Sequence, residues 1–423
     1  MSINKKAIIM GVSTFENPFN QDDKNELINL CEACNIEVVG LIQQNLDRVN
    51  ADTFVGPGKI EEVMQMANDL EVDYIVANTD VSARVIRNID KLTNKIVLDR
   101  NMLILEIFTE RAKSKSAQIQ VEIAKINYEL PRLVGSSDHL SKQAGSTGGG
   151  LANRGPGETK LELERRELNR LLAGYRKELE TLNKQLETQK RQRDKSNIFR
   201  VSLVGYTNAG KSTIMNQVLK ATNSDKEVFV KDMLFATLDT YTRRIELENF
   251  PDFLLSDTIG FINNLHHTLI DAFKSTLQEV SDSDLLLHVI DVSNPNHLQQ
   301  KKITEDTLKE IGASDIEIIE IYNKADLNEQ DITYPDSITV SALNDKDIEK
   351  IIDLVKDRLL SDYKETTLYI PYTHNKTLDL VFSNQKTKII EEGDKGYTIK
   401  TFLNDYDLNT LSEYIKVTNT NRH

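Results

Sequence analysis

Gly205-Tyr206-Thr207-Asn208-Ala209-Gly210-Lys211-Ser212, followed by Thr213, is the stretch that decides the fold. The chain enters it from Phe199-Arg200-Val201-Ser202-Leu203-Val204, an apolar run of the kind that forms a buried strand, and leaves it on a helical pattern. Strand, GxxxxGKS loop and helix together are the context in which such a loop cradles phosphate. Gly205 and Gly210 let the backbone curl so that successive amides face the α- and β-phosphates. Lys211 then neutralises the β,γ oxygens, and the Ser212 hydroxyl is a ligand for Mg2+.

A phosphate loop does not choose the base. That role falls to Asn323-Lys324-Ala325-Asp326, which ends an apolar run over residues 316–322. In an NKxD arrangement the carboxylate accepts hydrogen bonds from guanine N1 and N2 while the lysine lies along the ring. Adenine offers no matching donors, and a buried unpaired carboxylate rejects it. Ser341-Ala342-Leu343, after a strand pattern at 337–340, supplies a backbone amide for guanine O6. Between these motifs the strand pattern at 253–257 delivers Asp257-Thr258-Ile259-Gly260, a DxxG in which Asp257 reaches Mg2+ through water and the Gly260 amide senses the γ-phosphate. Upstream, Phe235-Ala236-Thr237-Leu238-Asp239 offers a switch threonine, with Thr240 and Thr242 as rivals for the second direct Mg2+ ligand.

The hydrolytic machinery departs from the common small-GTPase scheme. Phe261 follows Gly260, where that scheme places a glutamine that orients the attacking water. A phenyl ring cannot hold water by hydrogen bonding, so another group or a partner must do so. Asn208 is one candidate, since an asparagine there can help hold a monovalent cation such as K+ beside the phosphates. His266 and His267 are adjacent and point in different directions, which favours surface or packing roles over a general base.

Outside this region, residues 6–108 alternate short β-branched runs (7–10, 38–42, 74–77, 96–98) with helical stretches, the pattern of a parallel sheet covered by helices. Residues 55–62, VGPGKIEE, read either as a turn opening a helix or as a phosphate or RNA contact. Two long helices follow, at about 114–130 and 161–191. In the second, Leu168, Leu171, Leu172, Tyr175, Leu179, Leu182 and Leu186 make one stripe, better buried in an intramolecular hairpin than in a coiled-coil dimer, so a monomer is expected. The segment joining them, residues 145–160, is GSTGGGLANRGPGETK. Glycine this dense carries a large ordering entropy and supplies no core, and with Arg154 and Lys160 it reads as a probe that orders on a partner rather than as a connector. Residues 366–423 read as a small strand–helix–strand–strand–helix module suited to packing or docking.

The chain has 423 residues, too many for one core, and a net charge of −14 that would argue against nucleic acid. Its distribution qualifies this: residues 111–200 hold 19 basic and 11 acidic side chains, a local +8 against −22 elsewhere. That basic middle fits a polyanion, or in its helical part a solvated face of i,i+4 ion pairs. No stretch approaches ~20 apolar residues, so neither a membrane span nor a leader is expected and the location reads as cytoplasmic. Cys31 and Cys34 form a lone CxxC without a second pair, which reads as an inert helical pair.

Taken together these residues resemble the HflX family of bacterial GTPases. The closest likeness lies before the phosphate loop, in RGPGETKLELERR at residues 154–166, and continues in residues 55–62, in LFATLD at 234–239 and in DTIGFINNLHHTLIDAFKSTL at 257–277. His266 departs from the family, where proline is expected. The resemblance implies an α/β architecture: a P-loop GTPase domain (198–362), preceded by an α/β N-terminal domain (1–110) with a long helical hairpin (111–197) and followed by a small α+β C-terminal domain (363–423). It favours Thr237 as the second Mg2+ ligand, and places Lys211, Thr237 and Gly260 around the reacting phosphate. It also implies binding to the large (50S) ribosomal subunit and its RNA, with Gly149, Arg154, Gly155, Gly157 and Lys160 in the probing segment, and GTP-dependent splitting or rescue of stalled ribosomes under stress. Two readings stand against it. In one, GTP regulates an RNA- or protein-binding module and hydrolysis is incidental; in the other the chain is a tRNA-modification GTPase, although the C-terminal module lacks the cysteine such enzymes commonly carry there.

Overall fold

Ala7, Ile8, Ile9 and Met10 are buried in succession because β1 (Lys5–Ser13) runs through the middle of a parallel sheet with helices on both faces. The computed structural model describes residues 5–134, 156–194, 198–222, 241–247, 250–262, 279–327, 337–382 and 387–416. In the N-terminal sheet the strand order is β2 (Ile36–Asn45), β1, β3 (Tyr74–Ala77), β4 (Ile96–Asp99). Helices α2 (Pro57–Asp69) and α3 (Ala83–Thr93) cover one face, over Ile8, Met10 and Ile75. On the other, α1 (Gln21–Ala33) and α4 (Arg100–Arg111) pack Leu27, Leu30, Leu103 and Phe108 against Ala7, Ile9 and Val76. Asn20 and Asp23 close a capping box on α1, satisfying amides the helix leaves orphaned. Gly56 precedes α2, Pro57 opens it, and Lys59 is paired with Glu62 at 2.6 Å, so the 55–62 segment is a turn into a helix. Cys31 lies in the last turn of α1 and Cys34 caps it, and burial pushes both thiols up to about 12, which keeps them protonated and inert.

The hairpin consists of α5 (Lys115–Val134) and α6 (Pro156–Asp194). Ile119, Ile123, Ile126 and Leu172 are buried between them, with Leu168, Tyr175, Leu179 and Leu182 packed alongside, so the stripe is consumed within the chain. Leu171 is an exception: it lies 37% exposed, because a residue beside Leu172 on a helix is rotated about 100° from it, and the side chain of Leu186 lies outside the described residues. The helix also begins earlier than the glycine-rich composition suggests. Pro156 is its first residue, which needs no amide partner and has a preset φ, so Gly157 and Lys160 are helical while 145–155 lie outside the described residues. The far end of α5 is pinned to the sheet: Arg132 donates to Asp80 at 2.6 Å and to Asp99 at 3.0 Å, and the Tyr128 hydroxyl donates to Asp99. Burial pushes Asp99 up to about 6 against the pull of these donors.

A second sheet, of six strands, has the order β10 (Ser337–Thr339), β9 (Glu317–Asn323), β8 (Leu285–Asp291), β5 (Phe199–Val204), β7 (Phe253–Asp257), β6 (Tyr241–Ile245). All pairings are parallel except β6 with β7. Helices α7 (Lys211–Ala221), α8 (His297–Glu310) and α9 (Asp345–Asp362) flank it, and α9 passes directly into β11 (Tyr363–Pro371). The last unit is an antiparallel sheet β11–β13 (Gly396–Asn404)–β12 (Lys388–Gly393), with α10 (Asn375–Phe382) and the short α11 (Asp405–Thr410) closing its core on Leu368, Ile370 and Ile399. Phe402 stacks on Phe250 at 6.4 Å, joining this unit to the second sheet. The α/β architecture expected from the sequence is present.

Candidate nucleotide site

The site lies at the carboxyl ends of β5, β7, β8 and β9, the place where open parallel sheets collect their ligands. β5 ends at Val204, and the loop turns on two glycines. Gly205 has φ +148°, and a Cβ there would lie 2.2 Å from the Val289 carbonyl oxygen. Gly210 has φ +99°, and a Cβ would meet the Asn323 amide nitrogen at 2.2 Å. Both positions therefore exclude a side chain by backbone conformation and by space. Asn208 also has positive φ, +62°, a conformation asparagine tolerates better than most residues, and its side chain is exposed.

Lys211 opens α7 and is buried; its Nζ donates to the carbonyls of Gly205 at 3.0 Å and Tyr206 at 2.9 Å. Burial pulls its ammonium down to about 8, partly offset by the Asp257 carboxylate. The Ser212 hydroxyl donates to Asp257 Oδ2 at 2.5 Å, so the two proposed Mg2+ oxygens stand together at the end of β7. Thr258 is buried and donates to the Leu203 carbonyl at 2.6 Å, a structural tie between β7 and β5. Thr242 lies in β6 with its hydroxyl 2.8 Å from that of Ser256, engaged within the sheet, which removes it as a rival metal ligand. Phe235, Ala236, Thr237, Leu238 and Asp239, with Thr240, lie outside the described residues, as do His266 and His267.

At the base-recognition end, Asn323 is a strut that motif reading did not assign. Its side-chain amide donates to the Ala209 carbonyl at 2.9 Å, and its oxygen accepts the Ala342 amide at 2.9 Å, tying the phosphate loop to the Ser341-Ala342-Leu343 turn. Lys324 has φ +64° and pairs with Asp291 at 2.8 Å, while Asp326 is exposed in a short 3-10 turn after β9. The Ser341 amide donates to Asp347 at 2.9 Å, and Leu343 is exposed.

Behind the loop, His288 in β8 is buried beside Val204, and its Nε2 makes no hydrogen bond among the described residues. Burial pulls it down to about 4, with Glu320 opposing and Lys301 and Lys211 reinforcing. The unfolded chain takes up a proton below about 6.5 that the folded chain refuses until about 4, so stability should be lost as pH falls through that window, by an amount on the order of 3 kcal/mol. In thermal melts between pH 7 and 5, His288→Leu should flatten this acid-side decline; an unchanged slope would show that His288 is not its source.

A glycine-bounded loop on a central parallel strand, a serine of that loop bonded to the aspartate ending the neighbouring strand, and an asparagine joining the loop to the Ser341-Ala342-Leu343 turn define a P-loop GTPase. Comparison with known proteins agrees along the chain. Residues 21–109 match a family model described as GTP-binding GTPase N-terminal, residues 111–193 its middle region, and residues 200–324 a model described as 50S ribosome-binding GTPase. The chain is 36% identical to GTPase HflX of Caldanaerobacter subterraneus, over 94% of this chain and 90% of that protein. It is 34% identical to GTPase HflX of Escherichia coli, over 83% and 82% of the two. The chain belongs to the HflX family of GTPases, which hydrolyse GTP. Among solved structures, a GTP-binding protein of Sulfolobus solfataricus in complex with GDP is 26% identical, covering 84% of this chain and 98% of that one with a TM-score of 0.44. No described helix is long and apolar enough to cross a membrane.

Proposed function

We propose that this chain is a Mg2+-dependent GTPase that acts on the large ribosomal subunit in the cytoplasm, is stimulated by it, and couples GTP binding and hydrolysis to splitting or rescue of stalled ribosomes under stress. The observation that carries this reading is Phe261. It is 3% exposed, and both its backbone groups are spent on the phosphate loop, its amide donating to Gly205 at 3.1 Å and its carbonyl accepting from Thr207 at 2.7 Å. The residue at the water-orienting position thus has no polar side chain, and chemistry must wait for a group from elsewhere. The basic hairpin, ending in a glycine-rich segment, is suited to ribosomal RNA.

The hydroxyl of Ser212 and the carboxylate of Asp257 are hard oxygen donors side by side, which fits Mg2+ held directly by Ser212 and Thr237 and through water by Asp257. When bound, the ion neutralises charge developing on the β,γ-phosphate oxygens. Lys211 shares that work from the loop, the Gly205–Lys211 amides hold the α- and β-phosphates, and the Gly260 amide meets the γ-phosphate. Asp326 accepts from guanine. Asn208 is placed to help hold K+, and faster turnover in potassium than in sodium would support this.

Purified 50S subunits should raise GTP turnover, on the order of a hundredfold, as partner-supplied groups do in other GTPases. Removing residues 146–155, which spares Pro156 at the start of α6, should abolish the stimulation and leave unassisted turnover within about twofold. No stimulation of the intact chain would favour a GTP-regulated binding module instead. Equal loss of both activities on shortening would assign the segment to the G-domain fold.

A further inference from the structure

Asp22 and Glu26 lie one turn apart on α1, and both reach out of the N-terminal domain toward the nucleotide site. The Asn296 side-chain amide, at the start of α8, donates to Asp22. The Tyr206 hydroxyl, from the second residue of the phosphate loop, donates to Glu26 Oε2 at 2.5 Å, and Arg100 at the start of α4 pairs with Oε1 of the same carboxylate. Glu26 is thus held at both oxygens, by its own domain on one side and by the phosphate loop on the other. Arg100 is 7% exposed and Glu26 14%, so this contact is shielded from water and worth more than a surface ion pair.

Tyr206 stands at a seam. Its backbone bridges Phe261, whose amide and carbonyl bond Gly205 and Thr207, so the residue after DxxG is zipped onto the first turn of the phosphate loop. Gly260 is pressed so close that a Cβ would lie 2.8 Å from Thr207 and 3.0 Å from Lys211 Nζ. Any movement of Gly260 that admits a γ-phosphate beside Lys211 therefore works against this seam, whereas the α- and β-phosphates lie further along the loop. Covering the seam, Ile259, Phe261 and Ile262 belong to the same continuous apolar cluster as Phe19, Leu27, Leu30 and Phe108 of the N-terminal domain. Opening it therefore strains the packing between domains as well as the Tyr206–Glu26 bond.

We propose that Glu26, oriented by Arg100, is a specificity-determining positioning residue: through Tyr206 it holds the seam closed and biases the site toward the diphosphate over the triphosphate. Binding of a triphosphate loosens the docking of α1, and loosening that docking favours the triphosphate by the same factor, as linkage requires. The inference goes beyond the ribosomal reading and does not depend on it, since it concerns the free protein and two nucleotides alone.

The test measures Kd of the full chain for GDP and for a β,γ-imido GTP analogue, with Mg2+, in wild type, Tyr206→Phe, Glu26→Gln and the double variant. One shielded hydrogen bond is worth about fivefold, so Tyr206→Phe should shift the ratio of the two Kd values about fivefold toward the analogue, and Glu26→Gln, whose amide still bonds the hydroxyl but without the charge, should shift it the same way by less. The double variant should match Tyr206→Phe rather than multiply the two effects, because both changes act on one bond. A merely structural role would weaken both nucleotides alike and leave the ratio unmoved. Tyr206→Phe deletes a single hydroxyl and keeps the Glu26–Arg100 pair, so it decides the question even if Glu26→Gln does not fold. A ratio within twofold of wild type in Tyr206→Phe, or effects that multiply in the double variant, would overturn the proposal.

Discussion

Asp326→Asn should cost the protein its guanine nucleotides and give it xanthine nucleotides in exchange. The aspartate stands exposed in the turn after β9, two residues beyond Lys324, whose positive φ redirects the chain. An ionised carboxylate there accepts from both N1–H and the exocyclic N2–H of guanine. An asparagine has one acceptor and one donor, and its NH2 would face the N2 amino group donor to donor. Xanthine keeps N1–H but carries a carbonyl at C2, which accepts from the asparagine. Losing two charge-assisted bonds and adding a repulsion should weaken GDP by roughly 10³-fold, on the scale at which polar sites reject a ligand that leaves their groups unpaired. Competition binding with GDP, XDP and ADP reads the result directly. Retained GDP affinity, or a gain for ADP instead of XDP, would show that Asp326 does not face the base.

The second large effect concerns the turn that enters the phosphate loop. Gly205→Ala forces an alanine to φ +148°, and its methyl would lie 2.2 Å from the backbone oxygen of Val289 in the neighbouring strand β8. Neither partner is a flexible side-chain tip, so β5 and β8 must part, or the loop must lift away. Backbone strain and overpacking together should cost about 3 kcal/mol or more, which for a domain of this size lowers Tm by roughly 6–12 °C. Nucleotide binding should fall with it, because Lys211 and Phe261 both bond the Gly205 carbonyl. Gly210→Ala has a different signature: its methyl meets the side chain of Asn323, so it should break the tie between loop and base turn and weaken GDP with a smaller loss in Tm. A Gly205→Ala protein that melts and binds like wild type would contradict the close approach of these two strands.

Much of this was legible without coordinates, for a physical reason. Residues that bind phosphate, Mg2+ and guanine must occur in a fixed order at short spacing, because each set is displayed by one strand and the loop that leaves it. The GxxxxGKS at 205–212, DxxG at 257–260 and NKxD at 323–326 therefore announce a class of chemistry from the chain alone. The alternation of apolar runs likewise specified two layered sheets, and the helical stripe specified a hairpin, although neighbouring Leu171 and Leu172 could not both face inward. Pro156 carried a helix start that glycine content concealed.

What periodicity could not carry was any contact between residues far apart in sequence. Asn323 reads as a base-recognition residue, and only the fold shows it bracing Ala209 against Ala342. His288 looks like one more residue of an apolar strand until burial and the charges around it set its proton affinity. Glu26 lies 180 residues from Tyr206, in a helix with no motif of its own. Local sequence determined which groups stand at the strand ends around the phosphate loop, since those groups are presented by single turns of chain. Tertiary packing alone decided which side chains outside those turns hold them in place, because that depends on how two sheets, each adequate by itself, are set against one another.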